Sequence, residues 1–151
     1  MSKQPKNITI FATIISKDHK ILEFSAISTN TLFDYSGEFT VLVENKSKDV
    51  PAFYEKFNKK TDRIDLSSAI DKFLLWLPHD TDIVANRYYD TFLRILKENE
   101  IRLPSLKVYY IEDEAAAKED IGSISGNPSL QIARKNYHYL RKNYNGNKRR
   151  K

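Results

Sequence analysis

The sequence predicts an α/β domain, a mixed β-sheet of three antiparallel strands followed by alternating helices and strands, with helices on its flanks. Three observations point there. Short apolar, β-branched segments separated by polar turns fill residues 8–44, the pattern of an antiparallel meander. Apolar residues then recur at helical spacing over 65–77 and 88–99. Brief strand-like runs stand at 83–84 and 106–111. The resulting order, β-β-β-α-β-α-β with more helix behind, favours a mixed sheet covered by helices.

Residues 1–7 read as a loose arm. The run 8–16 (ITIFATIIS) is nearly continuous in apolar and β-branched residues, which marks a strand buried on both faces and therefore central. A polar turn, KDHK at 17–20, leads to a second strand at 21–28 (ILEFSAIS), so the two pair as a hairpin. After a loop at 30–37, the segment 38–44 alternates Phe39, Val41 and Val43 with Thr40 and Leu42 and adds a third strand. Pro51, suited to a first helical turn, starts a short helix over 51–57.

In 65–77 the residues Leu66, Ile70, Phe73, Leu74 and Leu77 form one stripe, Ser68 and Asp71 have capping-box spacing, and Pro78 stops the helix. The strand at 83–84 ends at Asn86 and Arg87, after which Tyr89, Phe92, Leu93 and Leu96 take up helical spacing. A strand-to-helix turn therefore carries Asn86 and Asp90, and such turns are where α/β folds place their chemistry. Residues 112–120 (EDEAAAKED) form an acidic, alanine-rich helical stretch and 122–125 a loop. Asn127 and Pro128 supply a cap and a first-turn proline for a last helix. Its stripe is Leu130, Ala133, Tyr137, Leu140 and Tyr144, with Arg134, Lys135, Arg141 and Lys142 to one side. The domain boundaries follow as an arm at 1–7, one domain at 8–144 and a basic, disordered tail at 145–151.

At 151 residues, 40% hydrophobic and 12% aromatic, the chain has enough apolar surface for a core of its own. It contains no cysteine, which excludes a disulfide framework, a thiolate metal site and a cysteine nucleophile, and fits a reducing, cytoplasmic setting. No apolar run approaches the roughly 18 to 20 residues of a membrane span, and the polar start is unlike a signal peptide. The net charge of +5 is unevenly spread. From residue 121 onward stand Arg134, Lys135, Arg141, Lys142, Lys148, Arg149, Arg150 and Lys151 and no acidic residue, which leaves 1–120 with a small acidic excess. A cationic end on a neutral-to-acidic body suits a polyanion such as nucleic acid, and a solubilising tail is the plainer alternative.

The element order, ILEFSAI as the second strand, VLVEN closing the third and IVANRYYDTFL after the fourth resemble the DEDD-type (DEDDh) 3'-to-5' exonuclease family of the ribonuclease-H-like fold. In that family the second strand commonly reads Ile-x-Glu-Ile followed by small residues, close to Ile21, Leu22, Glu23, Phe24. Its second acidic motif is an apolar pair, His-Asn, two variable residues, an aromatic and a catalytic Asp, which Asn86, Tyr89 and Asp90 match. The resemblance implies two-metal phosphodiester hydrolysis, with carboxylates holding Mg²⁺ or Mn²⁺.

The departures from the family are as informative as the matches. Ala12 and Ile14 occupy the positions of the family's first-strand Asp-x-Glu, and neither offers the hard oxygen donors these cations require. The third motif, a His or Tyr followed by Asp, is matched in spacing by His138 or Tyr139 with Asn143, an amide in place of the carboxylate. Only Asp90 remains of four acidic ligands, and a helix-start aspartate favoured by the dipole is its plainer reading. No pair of histidines has ligand spacing, and no metal site is expected.

The sequence therefore reads as a degenerate exonuclease-like domain, more binding module than enzyme, with Asp90 a residual catalytic position. Asn86, Arg87 and the eight C-terminal basic residues are its candidate contacts to single-stranded DNA or RNA. The alternatives are an active metal-dependent exonuclease with ligands from other positions, and a protein-binding adaptor.

Overall fold

The protein is described from a computed structural model that covers residues 7–44, 62–111 and 127–149, with the side chains of the last helix as far as Asn143. Its elements are β1 (Asn7–Ile15), β2 (Ile21–Asn30), β3 (Tyr35–Leu42), α1 (Leu66–Trp76), β4 (Thr81–Ala85), α2 (Tyr88–Glu98), β5 (Val108–Tyr110) and α3 (Pro128–Arg149). The strands form one mixed sheet in the order β3-β2-β1-β4-β5, so the most apolar strand is the central one. β1 runs antiparallel to β2 and parallel to β4, and β4 runs parallel to β5. Among the described residues no helix is long and apolar enough to cross a membrane.

Alternation along β1 divides the core in two. Phe11 points to the face covered by α1 and α2, where its ring lies 4.8 Å from Phe92, 5.7 Å from Phe73 and 5.8 Å from Phe24. Ile10 and Ala12 point the other way, into a cluster with Ile27, Val84, Leu130, Ala133 and Tyr137 beneath α3. The β1–β2 register shifts between Ile14 and Ile15, which leaves Leu22 as the extra residue of a bulge, packed with Ile14 against Ile132 of α3.

Several boundaries differ from the sequence reading. Asn7 belongs to β1, its backbone N–H held by the carbonyl of Asp80 at 3.1 Å and its side chain by that of His79. The loop expected at 30–37 is shorter, because the side-chain oxygen of Asn30 takes the N–H groups of Leu32 and Asp34 and closes the β2–β3 turn within five residues. The cap of α1 is Asp65 rather than Ser68: the Asp65 carboxylate accepts from the Ser68 N–H at 3.0 Å and from its hydroxyl at 2.8 Å, starting the helix ahead of the expected box. The last helix continues to Arg149, past the boundary expected at residue 145. The short helix expected at 51–57, the acidic stretch at 112–120 and the loop at 122–125 lie outside the described residues.

Candidate functional site

The last β1–β4 pair is Phe11 with Ala85, which brings Ala12 and Asn86 next at the point where β4 gives way to α2. Asn86 is buried and its carbonyl accepts the N–H of Tyr89 at 3.1 Å, turning the chain into the helix. Tyr89 then packs its ring 5.1 Å from Phe11, and burial pushes its phenol up to about 12. One residue on, Asp90 is exposed in the first turn of α2, where the helix dipole favours a carboxylate. Its carboxylate accepts the hydroxyl of Tyr110, which stands beside Ala85 in the β4–β5 ladder. The guanidinium of Arg87 lies 5.5 Å from the centre of the Tyr110 ring. The bond to Asp90, more than burial, raises the Tyr110 phenol above its ordinary value.

Ala12 and Ile14 are buried hydrocarbon under α3. The end of that helix nearest to them is its first turns, since Ser129 bonds to Glu23 and Ser25, the β2 partners of Ile14 and Ala12, and Ile132 packs on Ile14. His138 lies far along the helix, in a cleft with Ile27, Tyr35, Glu38 and Tyr137. Asn143 is fourteen residues beyond Ser129 in α3, about 21 Å at the rise of an α-helix, and its amide donates to the carbonyl of Tyr139. The spacing that suggested a third motif at His138, Tyr139 and Asn143 therefore falls at the wrong end of the helix. What stands at the right end is Ser129, whose N–H is held at 2.6 Å by Oε1 of the fully buried Glu23 and whose hydroxyl meets that of Ser25 at 2.6 Å.

The sequence matches no protein-family model and no curated protein. Among solved structures, the chain superposes on exonuclease I, solved in complex with the inhibitor BCBP, with a TM-score of 0.66 at 12% identity over 92% of this chain. The fold is ribonuclease-H-like. The chain spans 41% of the length of that exonuclease, and at this identity the likeness carries the fold alone.

The residues present do not fit a two-metal centre. Ala12 and Ile14 supply no donor, Asp90 is bonded to Tyr110 and Glu23 is turned to the backbone of α3. Among the described residues no group of three or more His, Asp or Glu side chains could hold a metal ion.

The expected cations are dispersed differently from one another. Arg134 forms an ion pair with Glu38 at 2.8 Å, which neutralises its charge within the fold. Lys135 is half-buried, while Arg141 and Lys142 are exposed, Arg141 donating to the Tyr137 hydroxyl at 3.3 Å. Lys148 and Arg149 continue the α3 backbone, and Arg150 and Lys151 lie outside the described residues. Asn86, being buried, offers little surface to a ligand, whereas Arg87 is exposed.

Sequence reasoning missed the exposed tyrosines Tyr88, Tyr109 and Tyr110 and the ammonium of Lys107, 5.1 Å from the centre of the Tyr109 ring. The signal available was KVYY itself, a cation and two adjacent aromatic residues in what the structure makes the end strand of the described sheet.

Proposed function

We propose that the chain is a nuclease-like domain that has lost two-metal phosphodiester hydrolysis and binds single-stranded nucleic acid. The observation that carries this reading is the burial of Ala12 and Ile14 as core beneath α3. The acidic pair that would bridge the cations has become packing, and the space it would need is filled by Leu130, Ile132 and Ala133. Catalysis by positioned carboxylates and cations has no donors there. Binding rests on charge: the exposed Arg141 and Lys142 and the half-buried Lys135 ride on a helix docked through Leu130, Ala133, Tyr137 and Leu140, and Lys148, Arg149, Arg150 and Lys151 extend the series past that docking face.

Such contacts act through phosphates and are therefore salt-sensitive and tolerant of sequence. With about four to six phosphates engaged, the slope of log K against log salt is roughly −3 to −4, at about −0.7 per contact on a single strand. Removing residues 148–151 flattens the slope by about two units and leaves the thermal melt nearly unchanged, because among the described residues those that dock α3 all precede them. A fluorescence titration of full-length and truncated protein with a labelled oligonucleotide at several salt concentrations tests this. Affinity weaker than about millimolar at low salt, or a slope indifferent to the truncation, overturns the binding reading.

A further inference from the structure

Exposed aromatic side chains stand where β4 and β5 end, Tyr88 (56% exposed) and Tyr110 (43%) on the α2 side and Tyr109 (47%) on the opposite face of the sheet. The β4–β5 register sets Tyr109 beside Val84 and Tyr110 beside Ala85, three residues before Tyr88. Two cations attend them, Arg87 over Tyr110 and Lys107 over Tyr109. Clustered exposed aromatic surface marks an interaction site, and exposed rings rimmed with cations suit a ligand that carries flat bases and phosphates together.

Asp90 is the odd member of this group. A carboxylate repels a polyanion, so its value here lies in what it does for its neighbour. It accepts the Tyr110 hydroxyl and thereby fixes the direction of a ring that is otherwise half in water.

We propose that Arg87, Tyr88 and Tyr110 form a stacking platform for an unpaired nucleobase, with Asp90 as the positioning residue for the Tyr110 ring. This deepens, and rests on, the reading of the domain as a single-strand binder. The position that matches a metal ligand of the exonucleases thus serves base stacking. Stacking tolerates any base, because every base has a π face, and Arg87 meets a flanking phosphate.

The test is fluorescence anisotropy with a labelled oligothymidylate and an abasic oligomer of the same length. The wild-type protein binds the thymidylate about 5- to 150-fold more tightly, the range expected for stacking one base. Tyr110→Ala and Tyr88→Ala each remove much of that preference while leaving the salt slope in place, since no phosphate contact is lost. Asp90→Asn and Asp90→Ala both delete the negative charge, but only the amide still accepts the tyrosine hydroxyl. The Asn variant therefore binds the thymidylate several-fold more tightly than the Ala variant. Arg87, Tyr88, Asp90 and Tyr110 are all exposed, so the variants melt with the wild type. Equal wild-type affinity for the two oligomers, or equal affinity of the Asn and Ala variants, overturns the platform while leaving salt-dependent binding intact. Failure of the wild type to bind either oligomer overturns the functional reading and the platform with it.

Discussion

Glu23 sits in β2 with none of its surface in water, and its Oε1 takes the N–H of Ser129 at 2.6 Å. The first N–H groups of a helix have no partner within it and carry the positive end of its dipole, so a carboxylate there satisfies a donor and gains from the field. Both effects offset the cost of taking the carboxyl group out of water. The hydroxyls of Ser25 and Ser129, both buried, and of the half-buried Thr40 complete a polar chain across β2 and β3. Glu23→Ala strands the Ser129 N–H and opens a void, which destabilises the fold by about 2–4 kcal/mol. Glu23→Gln keeps an acceptor and costs about half as much. Urea unfolding midpoints measure both, and equal losses would show that the bond to Ser129 is immaterial. In the sequence, Glu23 between Leu22 and Phe24 was visible as a carboxylate inside an apolar strand. Its partner was not, because Ser129 lies 106 residues away and periodicity reports a face rather than a contact.

At the scale of elements, β1 meets α3 through hydrocarbon at Ala12 and Ile14. Ala12 and Ala133 are both fully buried in one cluster, and Ile14, Leu22 and Ile132 extend the same hydrocarbon layer. Restoring the family's residues by Ala12→Asp with Ile14→Glu therefore places two carboxyl groups under a docked helix rather than rebuilding a metal site. The double variant loses at least about 3 kcal/mol of stability, as expected for uncompensated buried charge, read as a fall in the denaturant midpoint. A midpoint unchanged in buffer and raised by Mn²⁺ would mean that the site is open and competent for metal. The α3 stripe through Leu130, Ala133 and Tyr137 was legible because burial imposes the helical period. Its continuation to Arg149 was not, since asparagines, a glycine and charges resemble a tail in composition while the backbone keeps its helical course. The cap of α1 was misplaced for a related reason: Ser68 donates to Asp65, and spacing alone does not say which polar residue leads.

For the whole molecule, the sheet was readable because each strand carried its own signature. The two-sided burial of β1 put it in the centre, the polar turns after β1 and β2 paired the meander, and the intervening helices made β4 and β5 parallel. The candidate site was readable only in part. Asp90 and Arg87 were singled out by their place after β4, but their grouping with Tyr110 depends on a parallel register that local sequence does not encode. In the function proposed above, the ribonuclease-H-like fold carries core packing where the exonucleases carry catalytic carboxylates. The most direct test of that function is release of label from 3'-labelled single-stranded DNA and RNA in the presence of Mg²⁺ or Mn²⁺. No release above the rate without protein is expected. Stepwise shortening of the strand that EDTA stops and Asp90→Ala abolishes would contradict it.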